Sequence, residues 1–114
     1  MTDKPQDEHL PLHPLEFRIL MVLLRGASHG YRIVQEVEAM EAGQRIWPAN
    51  LYRRIRDLLA KGLIEEAASS AEEADARRTY VRLSSLGRRV ARAEAKRLEA
   101  LVADARAHRL LPGR

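Results

Sequence analysis

Pro48-Ala49-Asn50-Leu51-Tyr52-Arg53-Arg54-Ile55-Arg56-Asp57-Leu58-Leu59-Ala60 is the stretch that decides the fold. At about 100° per residue, Leu51, Ile55, Leu58 and Leu59 gather on one side of a helix. Ala49, Asn50, Arg53, Arg56, Asp57 and Ala60 fall on the other side, with Tyr52 at the edge. Pro48 suits the first turn, where its fixed φ is helical and its missing N–H is not needed. Lys61-Gly62 closes the segment. The result is a helix with one face for a core and one basic face for something else.

Two further helices are predicted upstream. Pro14 opens the first, and Leu15, Ile19, Leu20, Leu23 and Leu24 recur at helical spacing before Gly26 ends it. The second is predicted from Ser28, whose hydroxyl can cap a helix start. Its buried side is Tyr31, Val34, Val37 and Met40, and Gly43 ends it. The turn from Gly43 to Trp47 is short. Trp47 is expected to pack beneath the basic helix, with the lining of a ligand pocket as the alternative. Residues 1–11 carry two prolines and no periodicity, and are expected to be a loose tail.

Downstream the period changes. Leu63-Ile64-Glu65-Glu66 and Thr79-Tyr80-Val81-Arg82-Leu83 read as strands around a small, acidic loop, which makes a hairpin. Ser84 is placed to cap a final helix reaching to about residue 109, rich in Ala, Arg, Glu and Lys. Its larger apolar residues are few, and a helix so long on so short a chain overhangs its core. We therefore expect it to pair with a second copy through Leu15, Val90, Leu98, Leu101 and Val102.

The chain of 114 residues is one domain's worth of length, and its 46% apolar content is enough to build a core. The absence of cysteine excludes disulfide scaffolds, thiolate metal sites and cysteine nucleophiles. The four histidines show no ligand spacing, so neither a metal nor a cofactor is expected. The longest apolar run, Ile19 to Leu24, is six residues, where a membrane span needs about 20. Residues 1–10 lack the character of a secretory signal, so the expected location is the cytoplasm. The net charge is +4, and its distribution is uneven. Residues 48–62 hold four bases against one acid, 63–76 hold five acids and no base, and 77–92 hold six bases and no acid. If the fold brings the two basic stretches together they make one cationic surface.

Helix, helix, short turn, basic helix, hairpin and long helix is the order of a winged helix-turn-helix. In that motif the helix after the turn enters the DNA major groove, its N-terminal residues against base edges. Asn50 can pair with adenine and Arg53 with guanine, and small Ala49 allows close approach. Arg54 and Arg56 flank that face and suit phosphates. Tyr52 either donates its hydroxyl to a phosphate or sits at the edge of the core. Arg77 and Arg78, at the start of the second strand, are placed to reach a phosphate or a neighbouring minor groove.

Several segments resemble the PadR family of bacterial transcription regulators. They are His29-Gly30-Tyr31-Arg32-Ile33, Asn50-Leu51-Tyr52, Gly62-Leu63-Ile64-Glu65, Arg77-Arg78-Thr79-Tyr80-Val81-Arg82-Leu83-Ser84 and Leu86-Gly87-Arg88-Arg89. The resemblance runs from about Leu12 to Leu101. It implies a mainly α fold with a small β-hairpin, in which residues 12–83 are the DNA-binding unit and residues 84–114 the dimerisation helix and its short tail. It also implies a homodimer on a palindromic operator of double-stranded DNA, usually acting as a repressor and released by a small molecule. Two features depart from the family. Trp47 stands where a hydroxyl residue usually precedes the proline, and Ala49-Asn50 replaces Gly-Thr after it. The wing tip, with Glu72, Glu73 and Asp75, would be repelled by phosphate and is expected to point away from DNA. No acid–base pair or phosphate loop suggests an enzyme. The rival reading is a winged helix that meets a protein through Leu51, Tyr52 and the hairpin, without specific DNA binding.

Overall fold

The computed structural model describes residues 5–40, 46–68 and 79–113. A 3-10 helix, Pro5–His9, is followed by α1 (Pro14–Leu23), β1 (Ser28–His29), α2 (Gly30–Met40) and α3 (Pro48–Ala60). Then come β2 (Ile64–Ala67), β3 (Tyr80–Leu83) and α4 (Ser85–Ala107). The strands form one antiparallel sheet in the order β1-β3-β2. No described helix is long and apolar enough to cross a membrane.

The core is the meeting of the stripes read from the sequence. Ile19, Leu20 and Leu23 of α1, Ile33 and Val37 of α2, and Leu51 and Leu58 of α3 are all fully buried. Each such side chain contributes about 1.5–3 kcal/mol by leaving water. Leu63, Ile64, Val81 and Leu83 close the core from the sheet side, and Val90 closes it from α4.

Several expectations need correction. Ser28 does not cap α2. Its backbone pairs with Val81 in the sheet, which turns its side chain inward, and its hydroxyl is buried with no hydrogen-bond partner among the described residues. His29 takes the capping role instead, its Nδ1 accepting from the Arg32 N–H at 3.3 Å. The same ring stands edge-on to Tyr80, with centroids 5.3 Å apart. The sheet therefore has a third strand that the hairpin reading lacked. Tyr31 and Met40, expected on the buried side of α2, are exposed, as is Trp47 at 62%. Gly43 lies outside the described residues.

The stretch read as a loose tail includes the 3-10 helix Pro5–His9, which packs against α4. One anchor is Glu94 of α4, whose buried carboxylate accepts from the Leu12 N–H at 3.4 Å. The same carboxylate takes two 2.8 Å bonds from Arg97. These bonds, the Arg97 guanidinium foremost, hold the carboxyl below the usual carboxylate range against the opposing effect of burial.

Ser84 is where helix, sheet and α4 join. Its hydroxyl accepts from the Gly87 N–H at 2.9 Å, capping α4 as the sequence predicts, and donates to the Gly62 carbonyl at 2.6 Å. Its own N–H donates to the Leu63 carbonyl at 3.1 Å. Gly87 must be glycine, because a Cβ there would stand 2.0 Å from the Leu63 carbonyl oxygen. α4 ends in a left-handed residue, Arg109 at φ 63°, with the Leu110 N–H bonded back to the Ala105 carbonyl at 2.9 Å.

Two predictions follow from these junctions. Gly87→Ala should lower unfolding stability by about 3 kcal/mol, since the clash is with backbone. Gly113→Ala, which meets nothing within 4 Å, should leave stability unchanged. Denaturant melts at one protein concentration read both. Glu94→Gln should lower the melting temperature at neutral pH. Because the folded carboxyl titrates below its unfolded value, its stabilisation is complete above the unfolded value and fades as pH falls. The gap between variant and parent should therefore close as pH drops below about 4.

Candidate DNA interface

The burial of Leu51, Ile55 and Leu58 fixes the rotation of α3, and the rest of the surface follows. Ala49, Asn50, Arg53 and Arg56 all emerge on the solvent side. Arg53 donates to the Asn50 side-chain oxygen at 2.9 Å, holding the amide and the guanidinium side by side. Among the described residues, no acceptor takes the Asn50 amide N–H groups or the remaining Arg53 donors.

Arg54 is placed differently. It leans back toward α1, 3.7 Å from the Glu16 carboxylate, and only 30% of its side chain is exposed. Lys61 approaches the same carboxylate at 3.5 Å. Arg54 and Lys61 are seven residues apart, two helical turns, so both lie on the α1 side of α3. Glu16 is buried, and its Oε2 is compensated by these two cations without a hydrogen bond among the described residues. The sequence reading missed this carboxylate, which looks like an ordinary first-turn acid until its partners on α3 are known. Arg54 thus has a carboxylate partner that Arg53 and Arg56 lack among the described residues.

Tyr52 lies at the edge, 38% exposed. Its ring sits on Gly30, where a Cβ would come within 2.6 Å of Cε1. This contact gives the His-Gly-Tyr and Leu-Tyr segments a joint physical meaning: the bare backbone at the start of α2 lets the aromatic ring of α3 lie against it. His29, Gly30, Tyr31, Tyr52, Ile55, Leu59, Thr79 and Val81 surround a cleft of about 500 Å³ between α2, α3 and β3.

Trp47 occupies the N-cap position of α3 and makes no side-chain cap, as expected where a hydroxyl residue is absent. Its carbonyl accepts the Asn50 N–H at 2.9 Å. Arg77, Arg78, Glu72, Glu73 and Asp75 lie outside the described residues. On the strands below the wing tip, Arg82 and Glu65 are cross-strand partners joined at 2.8 Å.

The residues expected at a dimer contact divide. Val90 is fully buried in its own subunit's core, because α4 uses its first half to close the domain, and so it is not available to a partner. Leu15 and Leu98 are half-buried. Leu101 and Val102 are exposed, on the part of α4 that overhangs. No group of three or more His, Cys, Asp or Glu that could hold a metal occurs among the described residues.

Three helices and a strand pair behind the third helix define a winged helix-turn-helix, extended by a long C-terminal helix. The chain belongs to the PadR-like family of transcriptional regulators, whose model matches residues 19–93. No curated protein matches it. Among solved structures it is similar to RosR of H. salinarum, at 27% identity and a TM-score of 0.60, covering 88% of this chain and 98% of that one. It is also similar to a PadR family transcription regulator of Clostridium difficile, at 16% identity and a TM-score of 0.70, covering 84% and 98%. A transcriptional regulator of Clostridium thermocellum shares the fold at 19% identity and a TM-score of 0.69, covering 94% and 96%.

The contact between Gly30 and Tyr52 can be measured as a coupling. Gly30→Ala should cost about 1 kcal/mol by displacing the ring. In the Tyr52→Leu background the same change should cost much less, a coupling of about 1 kcal/mol in urea melts. Equal costs in both backgrounds would show that the ring does not depend on the glycine.

Proposed function

We propose that this chain is a homodimeric repressor that binds a palindromic operator, with α3 of each subunit in the major groove. The observation that carries the reading is the outward face of α3, where Asn50 and Arg53 stand together beside Ala49 with no core or acidic neighbour claiming them among the described residues. Asn50 and Arg53 read base edges, each good bidentate pair contributing about 1–3 kcal/mol of discrimination. Arg56 neutralises phosphate, and Arg77 and Arg78 do so from the wing. Arg54 reaches a phosphate only by loosening from Glu16, so its contribution is smaller than its position in the sequence suggests. Tyr52 supports the helix more than it contacts DNA. The acidic wing tip points away from the duplex.

In this reading residues 12–83 are the DNA-binding unit and residues 84–114 the dimerisation segment, acting in the cytoplasm without catalytic chemistry. The dimer is supported by the overhang of α4. Beyond Leu98 it carries Leu101 and Val102 in solvent, and the segment after its end adds exposed Leu110 and Leu111, an unfavourable arrangement for a lone helix. Beside it, Phe17 and Met21 of α1, Leu24 just after it, and Ala91 and Ala95 of α4 line a groove of about 280 Å³, edged by Arg88 and Arg92, whose apolar floor suits a second copy of α4. Two half-sites would lie about 34 Å apart. A small-molecule effector would act by changing that spacing. The rival reading, a protein-binding surface, needs Leu51 on the outside, and Leu51 is wholly buried.

Competition binding against an operator library tests the division of labour. Arg53→Ala should relax the preference at one position per half-site, while Arg56→Ala should weaken all sequences alike. Uniform losses for both variants would refute it. Sedimentation tests the dimer. Leu101→Asp with Val102→Asp, both exposed, should give a folded monomer with at least tenfold weaker operator binding, and an intact dimer would contradict the assignment.

A further inference from the structure

The basic residues of α4 form a second cationic surface that the DNA reading does not use. Arg89, Arg92 and Lys96 are spaced three and four apart, so they share one side of the helix. With Ala93 and Arg97 they make one wall of a cleft of about 460 Å³. Gln6, Asp7 and Leu10 of the N-terminal arm make the other wall.

This cationic side is unbalanced. Like charges at these spacings repel and cost the helix some stability. Arg97 is neutralised by Glu94, which holds it with two bonds of 2.8 Å. Arg92 and Lys96 have no ion pair among the described residues, and Arg89 reaches only the Ser85 hydroxyl, at 3.2 Å. Asp7, across the cleft, is the one carboxylate in its lining. A fold that accepts repulsion around a concavity is shaped for something other than its own stability.

The surface also lies apart from the proposed DNA contact. α4 starts at the C-terminal end of α3, where Ser84 bonds the Gly62 carbonyl. Asn50 and Arg53 stand near the other end of that helix, about two to three turns away. Around α4, the side bearing Arg89 and Lys96 differs from the side that carries Val90 into the core and continues to Leu98, Leu101 and Val102. A partner seated on those apolar residues leaves Arg89 and Lys96 open, and Arg92 stands between the two surfaces, lining both the cleft and the groove.

We propose that the cleft between the N-terminal arm and α4 binds a small oxyanion-bearing metabolite, a carboxylate or a phosphate, with Arg89 and Lys96 as its principal ligands. Arg92, at the border with the groove, adds a third donor group, and Leu10 and Ala93 accept the apolar part of the molecule. Arg's planar fork suits either oxyanion, and the lysine adds a point charge. Glu94 keeps Arg97 and the Leu12 backbone in place, so the pocket is formed before the ligand arrives. This inference is independent of operator binding, since it concerns the free protein.

Calorimetric titration of the full chain with citrate, with inorganic phosphate and with potassium chloride at matched ionic strength tests it. The expected result is saturable binding of citrate or phosphate at one site per subunit, with the tighter of the two naming the ligand class, and no binding of chloride. Arg89→Gln with Lys96→Gln, both outside the groove given to the partner, should weaken that binding at least tenfold while operator affinity stays within twofold. The single variant Lys96→Gln, at an exposed position, gives a smaller loss of the same kind if the double variant is poorly folded. Heats that merely follow ionic strength, failure of both oxyanions to bind, or unchanged binding in the variants would overturn the proposal. A loss of operator affinity as large as that of Arg56→Ala would overturn it too, by assigning the surface to DNA phosphates.

Discussion

The structure depends on how α3 is seated. Leu51, Ile55 and Leu58 enter a core built by α1, α2 and the sheet, and this fixes the helix in rotation as well as position. A helix turned by one residue, about 100°, would bury Arg53 or Arg56 and expose an apolar stripe. Leucine and isoleucine are strongly favoured in the core and unpaired arginine is strongly disfavoured there, so the seating is specified from both sides. Glu16 adds a second constraint from α1, drawing Arg54 and Lys61 toward itself and leaving Arg53 and Arg56 outside. The outward face of α3 is therefore a consequence of its inner face.

The far end of α3 sets the remaining architecture. The Gly62 and Leu63 carbonyls are both bonded by Ser84, and Gly87 packs without a side chain against Leu63. This junction ties the basic helix, the wing strands and α4 into one unit. A displacement of α4 would thus be felt at α3 through backbone contacts. Such a connection is what a regulator needs if partner or ligand contacts on α4 are to alter the spacing of two recognition surfaces.

Much of this was legible in the sequence because the three core helices carry their apolar residues at a clean 3.6-residue period. The Ser84 cap and the two main strands were legible for similar reasons of local chemistry. What escaped was decided by long-range contact. Ser28 and His29 form a strand too short to leave a period, and they become one only because β3 lies beside them. Tyr31 and Trp47 look like core residues by composition yet stand exposed, since apolar character does not oblige burial. Val90 was read as a dimer contact because the sequence does not show where α4 leaves its own domain.

The charged residues of the site were only half legible. The basic face of α3 could be read from spacing alone. The division between Arg54 and its neighbours could not, because it depends on Glu16, 38 positions earlier in the chain. Glu94 has the same character: its burial is compensated by Arg97 on its own helix and by the Leu12 backbone, 82 positions away.

The central claim is that the Asn50 and Arg53 face of α3 meets DNA. The most direct measurement is to add a short duplex to isotopically labelled protein at low salt and follow the amide and arginine side-chain resonances. The account predicts the largest shifts at residues 48–57, including the Arg53 and Arg56 Nε–H signals, with the fluorescence of Trp47 changing in step. Shifts confined to α4 and the N-terminal arm, with residues 48–57 unmoved, would contradict it.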